Sequence, residues 1–528
     1  MNPCRHLRVA AVAAALALTG CAGESDRAEV PRTSPPRNAP NIVVVMTDDQ
    51  AVSSFPSAMP EAGLLARDGI EFTQSFASYP LCCPSRATFF TGQLAHNNGV
   101  LGNKPDEDGG GYENLADPER VLPAWLRSGG YETTHIGKFV HGYEGEGPPP
   151  GWDRFWGFTD EQGNYFNYGL RGPGAQVTEY GERNQDYATS VITRLAEREI
   201  EGLGKGRPLF LSIGYSAPHT GSGRAMDADS PCAESAVGKS AAQPAPLDLK
   251  RVNIQPLEAI PSLNERDVSD KPTQIQKRAR LGAAELDQIA LRKACSVAAL
   301  AEVDRGVGRI VDSLRERGVL ENTVIVFTSD NGLFYGEHRI PGDKNRPYEE
   351  AIRVPLVIRA PGFGRGTVVD PVMNADLAPT LIELAGVGAP ADGEARTQDG
   401  RSLVPLMQGE VWSERVIPIE GRSPGTASRT GGFQVRSYEG VRSSRYLFVN
   451  YYEEGVESVD AGLDVEPGTG EVIDSELYDL ERDPHQISNL IGDPRYADAK
   501  RDLEEALGVL SDCSGESCFL EKSISSPD

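Results

Sequence analysis

Asn41-Ile-Val-Val-Val-Met46 is an unbroken apolar run, rich in β-branched residues and only six residues long. Such a run predicts a strand covered on both faces, as in a parallel sheet buried between helical layers. Further strand candidates are Glu132–Ile136, Pro208–Tyr215, Thr323–Thr328 and Val354–Ile358. Between them lie helical patterns at Pro60–Asp68, Asp186–Ile200 and Ala283–Arg317. In the last, Leu286, Ile289, Ala290, Val297, Leu300, Val303, Val307, Ile310, Val311 and Leu314 trace one apolar face. Strands alternating with helices predict an α/β fold, with a large mixed, mostly parallel sheet and helices on both faces. Residues 220–280 break the alternation with a long polar, proline-containing stretch, the kind of loop that usually serves function or moves. From about residue 410 the pattern turns to short strands, Phe433–Ser437, Arg445–Tyr452 and Glu476–Asp479, then a helix over Tyr496–Leu510. This predicts a main domain over 40–409 and a smaller C-terminal subdomain over 410–528, built on an antiparallel sheet.

The N-terminus reads as an export signal. Arg5, His6 and Arg8 precede the apolar run Val9–Leu18, too short to span a bilayer but suited to a signal-peptide core. The run ends in Leu18-Thr19-Gly20-Cys21, which resembles the lipobox of bacterial lipoproteins. That resemblance implies a signal peptide over 1–20, lipid on Cys21, and a membrane-anchored protein at the bacterial cell surface or in the periplasm. The polar, Pro-rich residues 21–39 would then be the tether. Of the other cysteines, Cys4 leaves with the signal peptide. Cys513 and Cys518 predict a small disulfide loop, as expected of an exported protein. Cys232 and Cys295 could pair, but Cys82 and Cys83 are adjacent, a strained arrangement for a disulfide, and need another explanation.

Charge narrows the partners. Lysine and arginine number 52 against 77 acidic residues, a net charge of −25 that argues against general nucleic-acid binding. An anionic substrate must therefore be captured by a local basic pocket against the overall field.

Ligands of open α/β sheets sit beyond the carboxyl ends of the strands. Here three strand candidates run into Thr47-Asp48-Asp49-Gln50, Ser329-Asp330-Asn331-Gly332 and Ser216-Ala217-Pro218-His219. Each alone is an ordinary turn signal. Together, Asp48, Asp49, Asp330 and Asn331 make an all-oxygen donor set suited to one hard cation, Ca²⁺ or Mg²⁺.

Cys82-Cys83-Pro84-Ser85-Arg86-Ala87-Thr88-Phe89-Phe90-Thr91-Gly92 resembles the signature of the sulfatases, formylglycine-dependent members of the alkaline phosphatase superfamily. The resemblance implies that Cys82 is oxidised to formylglycine by a formylglycine-generating enzyme and also faces the cation, whereas Cys83 is only the variable residue. Proline within a first helical turn fits Cys82 at a helix N-terminus, where unpaired N–H groups favour an anion. The similarity extends over nearly all of 40–490. Gly130–Lys138 is similar to the segment whose lysine contacts nucleophile and sulfate, Ala217-Pro218-His219 to the active-site histidine segment. Gly336–Arg339 and the stretch through Lys344 to Pro355 resemble the family's segment C-terminal to the Asp-Asn ligands, with Lys344 as second sulfate-binding lysine. Gly151-Trp152-Asp153 and Tyr165–Tyr168 look most like the N-acetylglucosamine-6-sulfatase branch.

One departure is visible. Many sulfatases carry histidine two residues after the first lysine. Here that position is Val140, and His141 follows it. Neighbouring side chains on a strand point to opposite faces, so His141 is a site candidate only. His96, His135 and His485 read as structural.

The implied reaction is sulfate-ester hydrolysis. Hydrated residue 82 attacks sulfur, the cation and Arg86, Lys138 and Lys344 stabilise charge, and His219 protonates the leaving alcohol. Two alternatives stay open: a formylglycine-dependent phosphonate or phosphate ester hydrolase, and an inactive surface protein that binds sulfated glycans. No basic run suited to a long polyanion occurs, which predicts an exo-acting enzyme on small or oligosaccharide sulfates.

Overall fold

The computed structural model describes residues 32–103, 109–145, 147–159, 163–204, 206–221, 230–233, 241–388, 398–423, 436–453 and 470–527. The signal peptide, Cys21 and residues 22–31 lie outside them, as do 433–435 of one predicted strand.

The main sheet has ten strands in the order β11 (Gly366–Val368), β2 (Ile70–Phe72), β10 (Leu356–Arg359), β9 (Thr323–Ser329), β1 (Asn41–Thr47), β8 (Leu209–Gly214), β4 (Glu132–Gly137), β5 (Arg154–Phe158), β6 (Tyr168–Arg171) and β7 (Val177–Tyr180). Its centre, β9-β1-β8-β4-β5, is parallel, while β10 and the β6-β7 edge run antiparallel. The sheet is thus mixed and mostly parallel. Alternation in β1 serves two cores at once. Ile42 and Val44 pack with the helices Cys82–Thr91, Leu122–Ser128 and Leu377–Ala385 on one face. Val43 and Val45 pack with Pro60–Asp68, Ala188–Glu201 and Ala283–Glu316 on the other. The long helix keeps its predicted face except at Val297, which is 39% exposed; Ala294 and Ala298 carry the buried stripe there.

A short pair, β3 (Ser75–Phe76) with β12 (Val372–Met373), leads to an antiparallel sheet of β16 (Val472–Asp479), β15 (Tyr446–Tyr452), β14 (Tyr438–Arg442), β13 (Arg415–Gly421) and β17 (Leu520–Glu521). The strand expected to end at Ser437 begins instead at Tyr438, where Gly440 lies so close to β15 that a Cβ would meet the Phe448 carbonyl at 2.6 Å. Sequence reading passed over β13 because Pro418 interrupts it. Proline is accommodated there because β17 pairs only with Arg415 and Val416. This small sheet is not isolated. Its core is shared with Phe76, Phe334, Tyr348, Ile352 and Met373, and buried Arg415 forks onto both oxygens of Asp376 at 2.7 and 2.8 Å. Residues 32–528 accordingly form one compact unit.

Among the described residues two disulfides are present, Cys513–Cys518 and Cys232–Cys295, and the second fastens part of the 220–280 stretch to the long helix. Further along, that stretch joins the main body through an Asn264–Gly336 hydrogen bond and a Leu263–Glu337 bridge. Residues 32–39 are not a free tether. Arg32 pairs with Asp153, and Thr33 donates to the Ser128 carbonyl at 2.8 Å.

His96 is a structural clamp. Its ring nitrogens face Glu420 Oε2 at 2.8 Å and the Cys513 carbonyl at 2.9 Å, two acceptors that only a protonated ring satisfies. Burial alone would lower its pKa, but Glu420 and the carbonyl raise it to about 9. A raised folded-state pKa contributes stability below the unfolded value of 6.5 and loses it as pH rises through 9. Thermal melts of wild type and His96→Gln should therefore differ most at pH 6 and converge above pH 9.

Candidate active site

The three parallel strands β1, β8 and β9 end side by side, and the polar residues just beyond them meet the N-terminus of the helix Cys82–Thr91. Asp48, Asp49, Asp330 and Asn331 are at most 3% exposed, and one carboxylate oxygen from each aspartate lies within 4.8 Å of the others. Cys82 opens the helix at 1% exposure, with its Sγ 3.6 Å from Asp48 Oδ1 and 2.6 Å from Lys344 Nζ. Lys344 also reaches Asp49 Oδ1 at 2.5 Å, and Lys138 pairs with Asp48. Arg86, one turn into the helix, donates from Nε to Asp330 Oδ2 at 2.8 Å and from Nη1 to the Lys138 carbonyl at 2.7 Å.

Close backbone approach makes room for this. Gly137 and Gly214 are register partners at the ends of β4 and β8, and a Cβ on Gly214 would stand 2.1 Å from the Lys138 carbonyl. Gly137 has φ +101°, which turns the chain so that Lys138 leaves the strand toward Asp48.

The electrostatics are those of crowded, compensated charge. Burial would push the Asp48 carboxyl up, yet Lys138, His219, Lys344 and Arg86 together hold it well below the usual range. Asp330 is pushed up to about 7 by burial and by Asp48. Burial also pushes the Cys82 thiol far up, against the pull of Lys138 and Lys344. Lys344 and Lys138 are raised against the pull of burial, chiefly by Asp49 and Asp48 respectively.

His219 Nε2 lies 3.7 Å from Asp49 Oδ2, while its Nδ1 faces the Thr220 carbonyl at 2.6 Å; burial holds its pKa down. His141 lies beyond the strand, with its backbone N–H 3.3 Å from Cys83 Sγ. β4 stops at Gly137, so strand alternation no longer governs residue 141, and Val140 takes the inward apolar position. The His141 ring is lowered by burial and by Lys138, and also feels Asp48, Arg86 and His219; its Nε2 is buried with no protein partner. The structure thus brings together Asp48, Asp49, Cys82, Arg86, Lys138, His141, His219, Asp330, Asn331 and Lys344. Away from them, His135 sits in an aromatic nest of Phe90, Phe139, Trp152 and Phe155.

Some supporting residues carried no sequence signal. Asn103 accepts from the Cys83 N–H at 3.0 Å, and Asn374 donates to the Ser85 carbonyl. Ser85, visible in the motif, donates to the Asp330 carbonyl at 2.5 Å. Tyr165, noted only as a branch marker, donates to the His219 carbonyl at 2.8 Å.

Two buried atoms lack protein partners where an added group would supply them: Asn331 Oδ1, whose amide nitrogen is already committed to Asp49, and Arg86 Nη2. With the three aspartates, Asn331 Oδ1 completes an oxygen donor set that fits one hard divalent cation.

Fold and site together define an α/β protein with a buried carboxylate and cation cluster at the carboxyl ends of its parallel strands. A family model described as Sulfatase matches residues 40–387, and another, N-sulphoglucosamine sulphohydrolase, C-terminal, matches 336–467. The chain belongs to the sulfatase family and is a sulfuric ester hydrolase. It is 30% identical to an arylsulfatase of Volvox carteri over 93% of this chain and 77% of the relative. It is 27% identical to an N-acetylglucosamine-6-O-sulfatase of Bacteroides thetaiotaomicron over 94% and 88%. Among solved structures, one in complex with its substrate D-glucosamine-2-N,6-O-disulfate superposes with a TM-score of 0.66 at 23% identity, covering 89% of this chain and 97% of that one. The phosphonate monoester hydrolase of Agrobacterium radiobacter shares the fold at 0.63 and 19% identity, over 92% and 100%.

Asp330 has a second duty that its sequence context hides. Removing its carboxylate leaves the guanidinium of Arg86, 1% exposed, without its acidic partner. Asp330→Ala should therefore lower stability by about 3–5 kcal/mol as well as abolish turnover. Asn331→Ala, which leaves Asp49 and the buried Gly332 carbonyl without that amide donor, should lower stability by about 1–3 kcal/mol, less than Asp330→Ala, while costing more than the roughly 10–100-fold in activity typical of outer-shell partners. Denaturant titration beside aryl-sulfate assays separates the two.

Proposed function

We propose that the protein hydrolyses sulfate esters through residue 82, converted from cysteine to formylglycine by a formylglycine-generating enzyme, beside one divalent cation, Ca²⁺ or Mg²⁺. The observation that carries this is residue 82 itself: buried at a helix N-terminus, 2.6 Å from Lys344 Nζ and 3.6 Å from Asp48 Oδ1. Asp48, Asp49, Asp330, Asn331 and the side chain of residue 82 would hold the cation, which when bound polarises a sulfate oxygen and lowers the pKa of a neighbouring hydroxyl. Formylglycine supplies a hydrated aldehyde: one hydroxyl as oxygen nucleophile, a second whose deprotonation lets the sulfate leave.

The chain's own residues do the rest. Lys344 and Lys138 flank residue 82 and hold the sulfate oxygens, and the buried guanidinium of Arg86 adds fixed positive charge behind them. His219, partly buried and with its pKa lowered by that burial, would in its protonated form give its proton to the departing alcohol oxygen. His141 offers Nε2 to the nucleophilic oxygen.

Charge balance favours sulfate over phosphate. Asp48, Asp49 and Asp330 offset Arg86, Lys138 and Lys344 at their ordinary charges. A divalent cation is then neutralised by a deprotonated nucleophile and a monoanionic sulfate ester, whereas a phosphate monoester dianion leaves an excess negative charge in a buried site. One preparation assayed on aryl sulfate, aryl phosphate and aryl phosphonate esters should prefer the sulfate. Preference for a phosphorus ester, or no turnover with retained glycan binding, would replace this reading.

The named relatives that act on N-acetylglucosamine sulfates favour a carbohydrate sulfate as substrate, attacked from an end. The enzyme is exported and anchored through lipid on Cys21; some relatives are themselves described as extracellular sulfatases, and among the described residues no helix is long and apolar enough to cross a membrane. Cys82→Ala should abolish turnover while Cys83→Ala, whose thiol meets the backbone of His141 and Asn103, retains most of it. Exhaustive chelation should inactivate the wild type, and added Ca²⁺ or Mg²⁺ should restore it. Release from sulfated mono- or disaccharides should exceed that from internal positions of a polymer, with little salt dependence.

A further inference from the structure

The stretch that enters the folded body, residues 32–40, is fastened along one rim of the main sheet. Arg32 pairs with Asp153, the residue just before β5, and Arg127 shares that carboxylate at 2.9 Å. Thr33 bonds to Ser128, four residues before β4; the Ala39 carbonyl accepts from Asn322, the residue before β9; and the Pro40 carbonyl accepts from Tyr131. Every one of these partners precedes a strand of the parallel set. The candidates that the main sheet carries follow one: Asp48 and Asp49 after β1, Lys138 after β4, His219 after β8, Asp330 and Asn331 after β9. In a parallel sheet those are opposite rims. The Gly151-Trp152-Asp153 motif therefore works far from the chemistry, with Asp153 as the clasp that fixes where the N-terminal segment leaves.

We infer that the anchored enzyme turns its active site away from the membrane, so that its substrates are sulfate esters in the aqueous phase and not sulfated lipids of the same bilayer. This rests on the proposed lipid at Cys21. Ten residues separate Cys21 from Arg32, a span of at most about 40 Å when fully extended. A folded body of about 500 residues is roughly 60 Å across, so leading the chain around from one rim to the other takes roughly 90 Å on the same estimate. The tether permits tilting and rotation of the body, but not inversion.

The test places a fluorophore on the full-length, lipidated protein in vesicles carrying a headgroup-attached acceptor. One probe replaces exposed Arg207, just before β8, and the other replaces exposed Ser53, beyond the end of β1. The Arg207→Cys probe should transfer energy several-fold more efficiently than the Ser53→Cys probe. Equal or reversed transfer in protein that Cys21→Ala releases from the vesicles would overturn the orientation alone. Membrane association that survives Cys21→Ala would overturn the lipid reading, and the orientation with it.

Discussion

Mutual repulsion among Asp48, Asp49 and Asp330 is the constraint around which the structure is arranged. Three carboxylates with oxygens inside 4.8 Å of one another, at almost no solvent exposure, cannot all stay ionised unless positive charge is supplied on the spot. Arg86, Lys138 and Lys344 supply it from three different segments: the helix after residue 81, the turn after β4, and the stretch between β9 and β10. Lys138 is placed by a backbone feature with no chemistry of its own, the Gly137–Gly214 approach. The site is thus a charge lattice that the fold holds together, and the fold in turn is crossed by ion pairs that end in the site.

The stretch through Lys344 couples the site to the antiparallel sheet. Tyr348, four residues on, donates to buried Glu476, which also accepts from Tyr451 and Tyr478. Arg442 of β14 reaches Glu349 at 2.8 Å. The small sheet is therefore part of the scaffold that fixes Lys344, not an appendage, which explains why residues 32–528 form one unit where the sequence pattern suggested a boundary near 410.

How much of this could be read beforehand depended on where the physics is local. Apolar continuity marked β1, β8 and β9, and the acidic residues at their ends are adjacent in sequence, so the oxygen cluster was legible. The Cys-Pro-Ser-Arg motif carried Cys82 and Arg86 together. Features set by long-range packing were not legible. β13 hides behind Pro418, tolerated only because its neighbour strand is short. Val297 matched the helical period but faces solvent. His141 was argued from strand alternation, whereas the strand had already ended at Gly137. Asn103 and Asn374 position the nucleophile helix from residues 20 and 289 positions away from their partners, a relation no local pattern encodes.

The central claim is that residue 82 acts as an aldehyde hydrate. Mass spectrometry of the peptide spanning residues 82 and 83, from active protein made in its native host, tests it most directly. The account predicts a mass about 18 Da below the encoded peptide, located at residue 82 and reactive toward an aldehyde-specific reagent, with Cys83 unchanged. An intact Cys82 in fully active enzyme would contradict it.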